Sequence, residues 1–334
     1  MNSCLETEIF NNIEVLPYMV GALLYSPADN TKIAGCVINE RFEMPYSLAL
    51  FLEDTISDSA VKRAEKILIN TVSQIYSARL EKDFYVPLIF IRVRNPKQIY
   101  EIFSSLGEAF GIVAGFIVPK LTVVNSEKYI NEILNVNKLC GRKVYFMPII
   151  ESQEVINLKT RIDCIYSIKE KIDHVKDLVL NVRVGGNDFC KVFGIRRNMF
   201  QTIYDIRPVS NILSDITTCF ACDYVVSGPV WEYFNSTPQS LWEEGLKKEI
   251  QLDRLNGFIG KTVIHPKQIH AVNESLKADG KDYSDALNIL SMSGENGRLV
   301  DKGGLGERMN EYKTHYIWAQ KVMALSKIYG VRDK

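Results

Sequence analysis

Eight short apolar runs, with helical stretches between them, constrain this chain more than any single motif. Each run is rich in Val, Ile, Leu and aromatic residues and stops at polar residues, glycine or proline. They are "MVGALLYSP" (Met19–Pro27), "SLALFLED" (Ser47–Asp54), "PLIFIRVRNP" (Pro87–Pro96), "GFIVPK" (Gly115–Lys120), "KVYFMPIIES" (Lys143–Ser152), "DLVLNVRVGG" (Asp177–Gly186), "CDYVVSGP" (Cys222–Pro229) and "KTVIHP" (Lys261–Pro266). Between them the clearest helical stripe is Val61, Ala64, Ile67, Leu68, Val72, Ile75 and Tyr76. Ser57 or Asp58 can cap that helix. Strand-then-helix, repeated about eight times, predicts an α/β fold of the (β/α)8 TIM-barrel type, which takes roughly 250 residues. The barrel closes near Pro266, so residues 1–266 form the barrel domain. Residues 267–334 are a C-terminal helical extension that packs on the barrel or on a neighbouring subunit.

Composition narrows the function classes. With 334 residues, 46% of them hydrophobic, the chain is long enough for a large core. Lys+Arg and Asp+Glu are both 40, so no net positive field draws it to nucleic acid or anionic lipid. "MNSCLETEIFNN" lacks the basic and apolar regions of a secretory signal. "GIVAGFIVPKLTVV" is too short to span a bilayer. Seven cysteines include one C-x-x-C, Cys219 and Cys222, with no second pair to complete a zinc site. Buried thiols are the favoured reading of that pair. A cytoplasmic location is expected.

Chemistry in such barrels gathers where the strands end. The second run ends in Glu53 and Asp54, the third in Arg92, Arg94 and Asn95, and the fourth in Lys120. The fifth ends in Glu151, the sixth in Asn187 and Asp188, the seventh in Ser227 and the eighth in His265. Each has a plainer reading beside the functional one. Arg92 and Arg94, two apart, share one strand face, where they bind structural carboxylates or a substrate carboxylate. Glu53 and Asp54 can open the next helix. Lys120 is either a partner for these carboxylates or a catalytic group. His265 suits the position before a helix-starting proline. Glu151 follows five apolar residues, which favours function over chance exposure.

"VGGND" (Val184–Asp188) matches neither dinucleotide-binding nor P-loop spacing, and a carboxylate at a helix start repels phosphate. Asp188 is a helix cap or a metal ligand. A hard ion suits it better than phosphate, because Mg²⁺ takes one or two carboxylates plus waters and substrate oxygens. Glu151 and Asp188, ending adjacent strands, can meet at one ion.

Several segments, in order, resemble the HpcH/HpaI aldolase and citrate lyase β-subunit superfamily. They are "LFLEDTISDSAVKRAE", "IRVRN", "FIVPK", "PIIES", "GGNDF…FG", "SGP" and "GFIGKTVIHPKQIHAVNE". "GGNDFCKVFGIRR", "TIYD" and "MNEYKTHYIWAQKV" resemble more closely the C–C bond lyase-like proteins of tellurite-resistance and stress-response operons. The resemblance implies a Mg²⁺-dependent barrel that makes or breaks a carbon–carbon bond next to a carbonyl. It implies Glu151 and Asp188 as metal ligands and Arg92 as the holder of a substrate carboxylate or carbonyl. Glu53 and Asp54 would orient metal-bound waters, and Lys120 would pair with the site carboxylates. Arg94, Gly186, Asn187, Ser227 and His265 are the further substrate-binding candidates. A homo-oligomer, trimer or hexamer, is also implied. The citrate lyase branch carries an arginine where this chain has Gly21, and another where it has Asn30. A CoA thioester is therefore a weaker expectation than a free small carboxylate. The runner-up reading is an altered barrel that binds a metabolite or serves in assembly.

Overall fold

The computed structural model describes residues 13–238, 240–292, 299–303 and 306–332. Eight parallel strands close into one barrel, in sequence order. They are β1 (Ala22–Pro27), β2 (Ser47–Phe51), β3 (Leu88–Arg92), β4 (Val113–Val118), β5 (Tyr145–Ile150), β6 (Val182–Val184), β7 (Val226–Gly228) and β8 (Phe258–Val263). Closure comes from β1 pairing with β8, Leu23 opposite Thr262. All eight expected runs overlap a strand, and β4 begins two residues before its run. The last begins earlier than expected, at Phe258, because Gly257 and Gly260 interrupt its apolar pattern. Gly260 has φ +75°, and a Cβ there would meet the Gly21 carbonyl oxygen at 2.6 Å.

Helices follow most strands: α1 (Ile33–Ile38), α2 (Val61–Glu81), α3 (Lys97–Leu106), α4 (Ser126–Cys140), α5 (Arg161–Asp173), α6 (Gly186–Val192), α7 (Arg207–Phe220), α8 (Ser240–Leu255) and α9 (Lys267–Leu276). In α2 the buried face is Ala64, Leu68, Thr71, Val72 and Ile75. Neither Ser57 nor Asp58 caps it: Ser57 Oγ bonds Ser59 Oγ, and the Asp58 carboxylate pairs with Arg94. Cys219 and Cys222 are both free, but only Cys219 is buried; Cys222 is exposed just beyond α7.

A buried ionic network lies between β8 and α8. Lys261 Nζ stands 2.9 Å from Glu249 Oε1 and 2.7 Å from Asp253 Oδ2. Arg197 Nε lies 3.4 Å from Glu249 Oε2. Tyr204 donates its hydroxyl to Asp253 Oδ1 at 2.8 Å.

The chain divides into two compact units, Val20–Val272 and a second drawn from Met1–Met19 with Asn273–Lys334. In the second unit, α10 (Gly280–Ser291) packs on α11 (Tyr312–Tyr329) through Ala286, Ile289, Ala319 and Met323. Asp279 caps α10 by accepting the Lys281 N–H at 2.9 Å.

Candidate active site

The site is built where β2, β3, β4, β5 and β6 end. Beyond β2 the chain turns sharply, and Asp54 takes φ 58°. Beyond β4, Lys120 does the same with φ 49°. Only three non-glycine residues among those described have positive φ, and these are two of them. Left-handed backbone at such residues costs energy and clusters at functional sites. Here it turns both side chains toward one another. Lys120 Nζ reaches Glu53 Oε1, and it lies 3.1 Å from Asp54 Oδ1.

Arg92, the last residue of β3, is 7% exposed. Its Nη2 lies 2.8 Å from Glu53 Oε2, 2.8 Å from Asp54 Oδ2 and 3.6 Å from Glu151 Oε1. The Glu53 contact has ion-pair distance but not hydrogen-bond geometry, so Oε2 is buried without a hydrogen bond. Burial works against the Arg92 charge. Tyr25 and the carboxylates of Glu151, Glu53 and Asp54 outweigh it and raise the proton affinity. For Asp54, burial acts upward, but Arg92 and Lys120 together hold its carboxyl below the usual range.

Glu151 follows β5 directly and is 7% exposed. Its Oε1 accepts the Lys120 backbone N–H at 3.0 Å. Burial pushes its pKa up to about 8, and the Asp188 and Glu53 carboxylates add to this against the pull of Arg92. Gly185 makes the approach of Asp188 to Glu151 possible, since a Cβ there would collide with the Glu151 side chain and stand 3.2 Å from Asp188 Oδ2. Gly185 also occupies the N-cap position of α6, so neither Asn187 nor Asp188 does. Asp188 lies in the first helical turn, free of a capping bond.

These groups open onto a cavity of about 200 Å³. Asp54, Arg92, Glu151, Gly186, Asn187 and Asp188, all candidates from the sequence, line it. Glu53 and Lys120 are outside the lining, joined to Arg92 and Asp54 by the ion pairs above. Three expected residues are placed elsewhere. β3 stops at Arg92, so Arg94 does not share its face. Arg94 bonds the carbonyls of Leu52 and Ile56 and pairs with Asp58, bracing the loop that carries Glu53 and Asp54. Ser227 donates to the Ile259 carbonyl at 2.7 Å within the barrel wall. The His265 ring stacks on Phe234, centroids 4.7 Å apart. Burial, then Lys267, lowers its pKa.

Tyr25, Arg183 and Thr262 also line the cavity, and sequence reasoning missed them. The available signal was an arginine between two valines, in "NVRVGG". Among the described residues no group of three or more His, Cys, Asp or Glu side chains is poised to hold a metal ion. The carboxylate pair Glu151 and Asp188 is still chemically suited to Mg²⁺, which completes its shell with waters and substrate oxygens. Among the described residues no helix is long and apolar enough to cross a membrane.

The description of C–C bond lyases of the TIM-barrel fold matches residues 14–331. The chain belongs to that family. No curated protein matches it. Solved structures share its fold at low identity. A citrate lyase from Burkholderia xenovorans superposes with TM-score 0.68 at 13% identity, over 98% of this chain and 96% of that one. The CitE protein of Mycobacterium tuberculosis, in complex with magnesium, acetoacetate and coenzyme A, gives TM-score 0.58 at 17% identity, over 93% and 100%. RipC from Yersinia pestis gives 0.52 at 15% identity, over 78% and 95%. The TIM barrel expected from the alternating runs and the C–C bond lyase relationship expected from the resemblance are thus present.

Proposed function

We propose that this C–C bond lyase family member is a Mg²⁺-dependent lyase. It would cleave a carbon–carbon bond in a small carboxylate-bearing metabolite, a 2-oxo acid or an acyl thioester, by retro-aldol or retro-Claisen chemistry. The observation that carries the reading is the Glu151–Asp188 pair at the cavity wall. The two carboxylates converge beside Gly185, and Glu151, the buried one, is driven toward holding a proton. Like charges so placed call for a cation. The magnesium bound by the M. tuberculosis relative supports the choice of ion, and its acetoacetate supports an oxo acid.

Glu151 and Asp188 would hold the ion. When bound, Mg²⁺ supplies Lewis-acid stabilisation of negative charge on a carbonyl oxygen. The chain's own residues supply the rest. Arg92, held at Nη2 by three carboxylates, keeps a positive charge at the cavity wall with its orientation already set. Lys120 ties Glu53 and Asp54 together, so the Asp54 carboxylate faces the cavity without swinging. At about 200 Å³ the cavity suits a small acid, and the CoA part of a thioester would lie outside it.

The test is direct. The protein is incubated with Mg²⁺ and a panel of oxo acids, β-hydroxy acids and acyl-CoA thioesters, and carbon-skeleton cleavage is followed by NMR. Cleavage by the wild type and none by D188A supports the proposal. A panel left intact by a protein that binds its members would favour the second reading, a metabolite-binding barrel, which the glycine at position 21 motivates.

A further inference from the structure

We propose that Arg183 is the anion-holding residue of this cavity, receiving a carboxylate of the substrate at its deep end. The proposal rests on reading the cavity as the substrate site. It adds a recognition point that the strand-end pattern did not contain.

Two cationic side chains line the cavity, Arg92 and Arg183. They differ in what surrounds them. Arg92 has three carboxylates within 3.6 Å. Arg183, 1% exposed, has no ion pair among the described residues. Its hydrogen-bond acceptors are neutral: Nη2 donates to Thr262 Oγ1 at 2.6 Å and Nη1 to Asn181 Oδ1 at 3.5 Å. Its Nε is buried without an acceptor. Burial, and after it the Arg92 charge, lower its proton affinity against the pull of Tyr25. Even so, a guanidinium does not give up its proton in a protein. A buried cation with no counter-charge is costly to keep, and a ligand anion relieves that cost.

Place and charge define the anion. Arg183 pairs in register with Ile149, two residues short of Glu151, so it sits about 7 Å deeper along the strands at backbone level. A substrate anchored there by its carboxylate would extend toward Glu151 and Asp188 at the mouth. The cluster holds the cations Arg92, Lys120 and Arg183 against the carboxylates Glu53, Asp54, Glu151 and Asp188. A divalent ion would leave one positive charge in excess, which one carboxylate neutralises. A phosphate dianion would bring surplus negative charge toward the acidic pair. The planar fork of arginine also matches a carboxylate in bidentate fashion.

The experiment uses acetate and acetoacetate as probes, with acetamide as the neutral control. Calorimetric titration and thermal melts are run with and without Mg²⁺ on wild type, R183K and R183M. The expected result is carboxylate binding that acetamide does not reproduce. It should weaken at least about tenfold in R183K, which keeps the charge and loses the fork, and vanish in R183M. The Mg²⁺ affinity of both variants should stay near wild type, and ligand-free R183M should melt no lower than wild type. Carboxylate affinity unchanged in both variants would overturn the proposal. So would R183M melting well below a wild type that is indifferent to acetate, since Arg183 would then be a structural brace. Cleavage by wild type and R183M with equal KM would sink the anion site and leave the lyase reading standing. Arg183-dependent binding with no cleavage of any substrate would do the reverse.

Discussion

The backbone N–H of Lys120 donates to Glu151 Oε1 at 3.0 Å from a left-handed conformation, φ 49°. One residue therefore orients the buried carboxylate with its main chain and holds Glu53 and Asp54 with its side chain. Glycine adopts this conformation without strain, and alanine does not. K120G and K120A both lose the ion pairs. K120G is expected to be the more stable by about 1 kcal/mol in urea unfolding. Equal stabilities would show that the turn carries no strain.

Glu151 should make both metal binding and metal-free stability depend on pH. Its folded pKa, about 8, lies above the ordinary 4.5, so the folded protein binds the proton more tightly than the unfolded chain. The stability it contributes is complete below pH 4.5 and is lost as pH rises toward 8. Mg²⁺ needs the ionised form, so its affinity should climb over the same window, level off above it, and proceed with proton release. Titrations from pH 5.5 to 9, with E151Q as control, check both trends. A Mg²⁺ affinity flat over that range would refute the assignment.

Gly185 is the point where any side chain would press on Glu151. G185A should cost about 1–3 kcal/mol of stability through overpacking. It should also weaken Mg²⁺ binding, because the Glu151 carboxylate must shift. Measured together by thermal melts and calorimetry, a stable G185A with wild-type metal affinity would contradict the packing described.

Lys261 balances two buried acids, Glu249 and Asp253. Removing it as K261M leaves Arg197, beside Glu249, as the one counter-charge for two acids and should cost about 3–5 kcal/mol at pH 8. Burial already raises Asp253 to about 6. A proton taken up there in acid should make the loss smaller at pH 5 than at pH 8. A pH-independent loss would mean that the network does not titrate as a unit.

Much of this was legible in the chain before folding. Apolar runs that stop at polar residues mark strands, and their ends mark the site, so Glu151, Asp188, Arg92 and Asp54 could be named from position alone. What the pattern lacks is where each strand stops and which way alternate residues face. β3 ends two residues before Arg94, so Arg94 turns back to brace a loop. Ser227 and His265 are likewise spent on the Ile259 carbonyl and the Phe234 ring. Arg183 sits between Val182 and Val184, all three buried. Alternation cannot say which of such residues points inward until the barrel closes around them.

Everything proposed for this site depends on Glu151 and Asp188 together holding a divalent cation. Calorimetric titration of Mg²⁺ into wild type, E151A and D188A at pH 8, with circular dichroism to confirm folding, tests it most directly. One site is expected in the wild type, with loss of measurable binding in each folded variant. Wild-type affinity in both variants would contradict it.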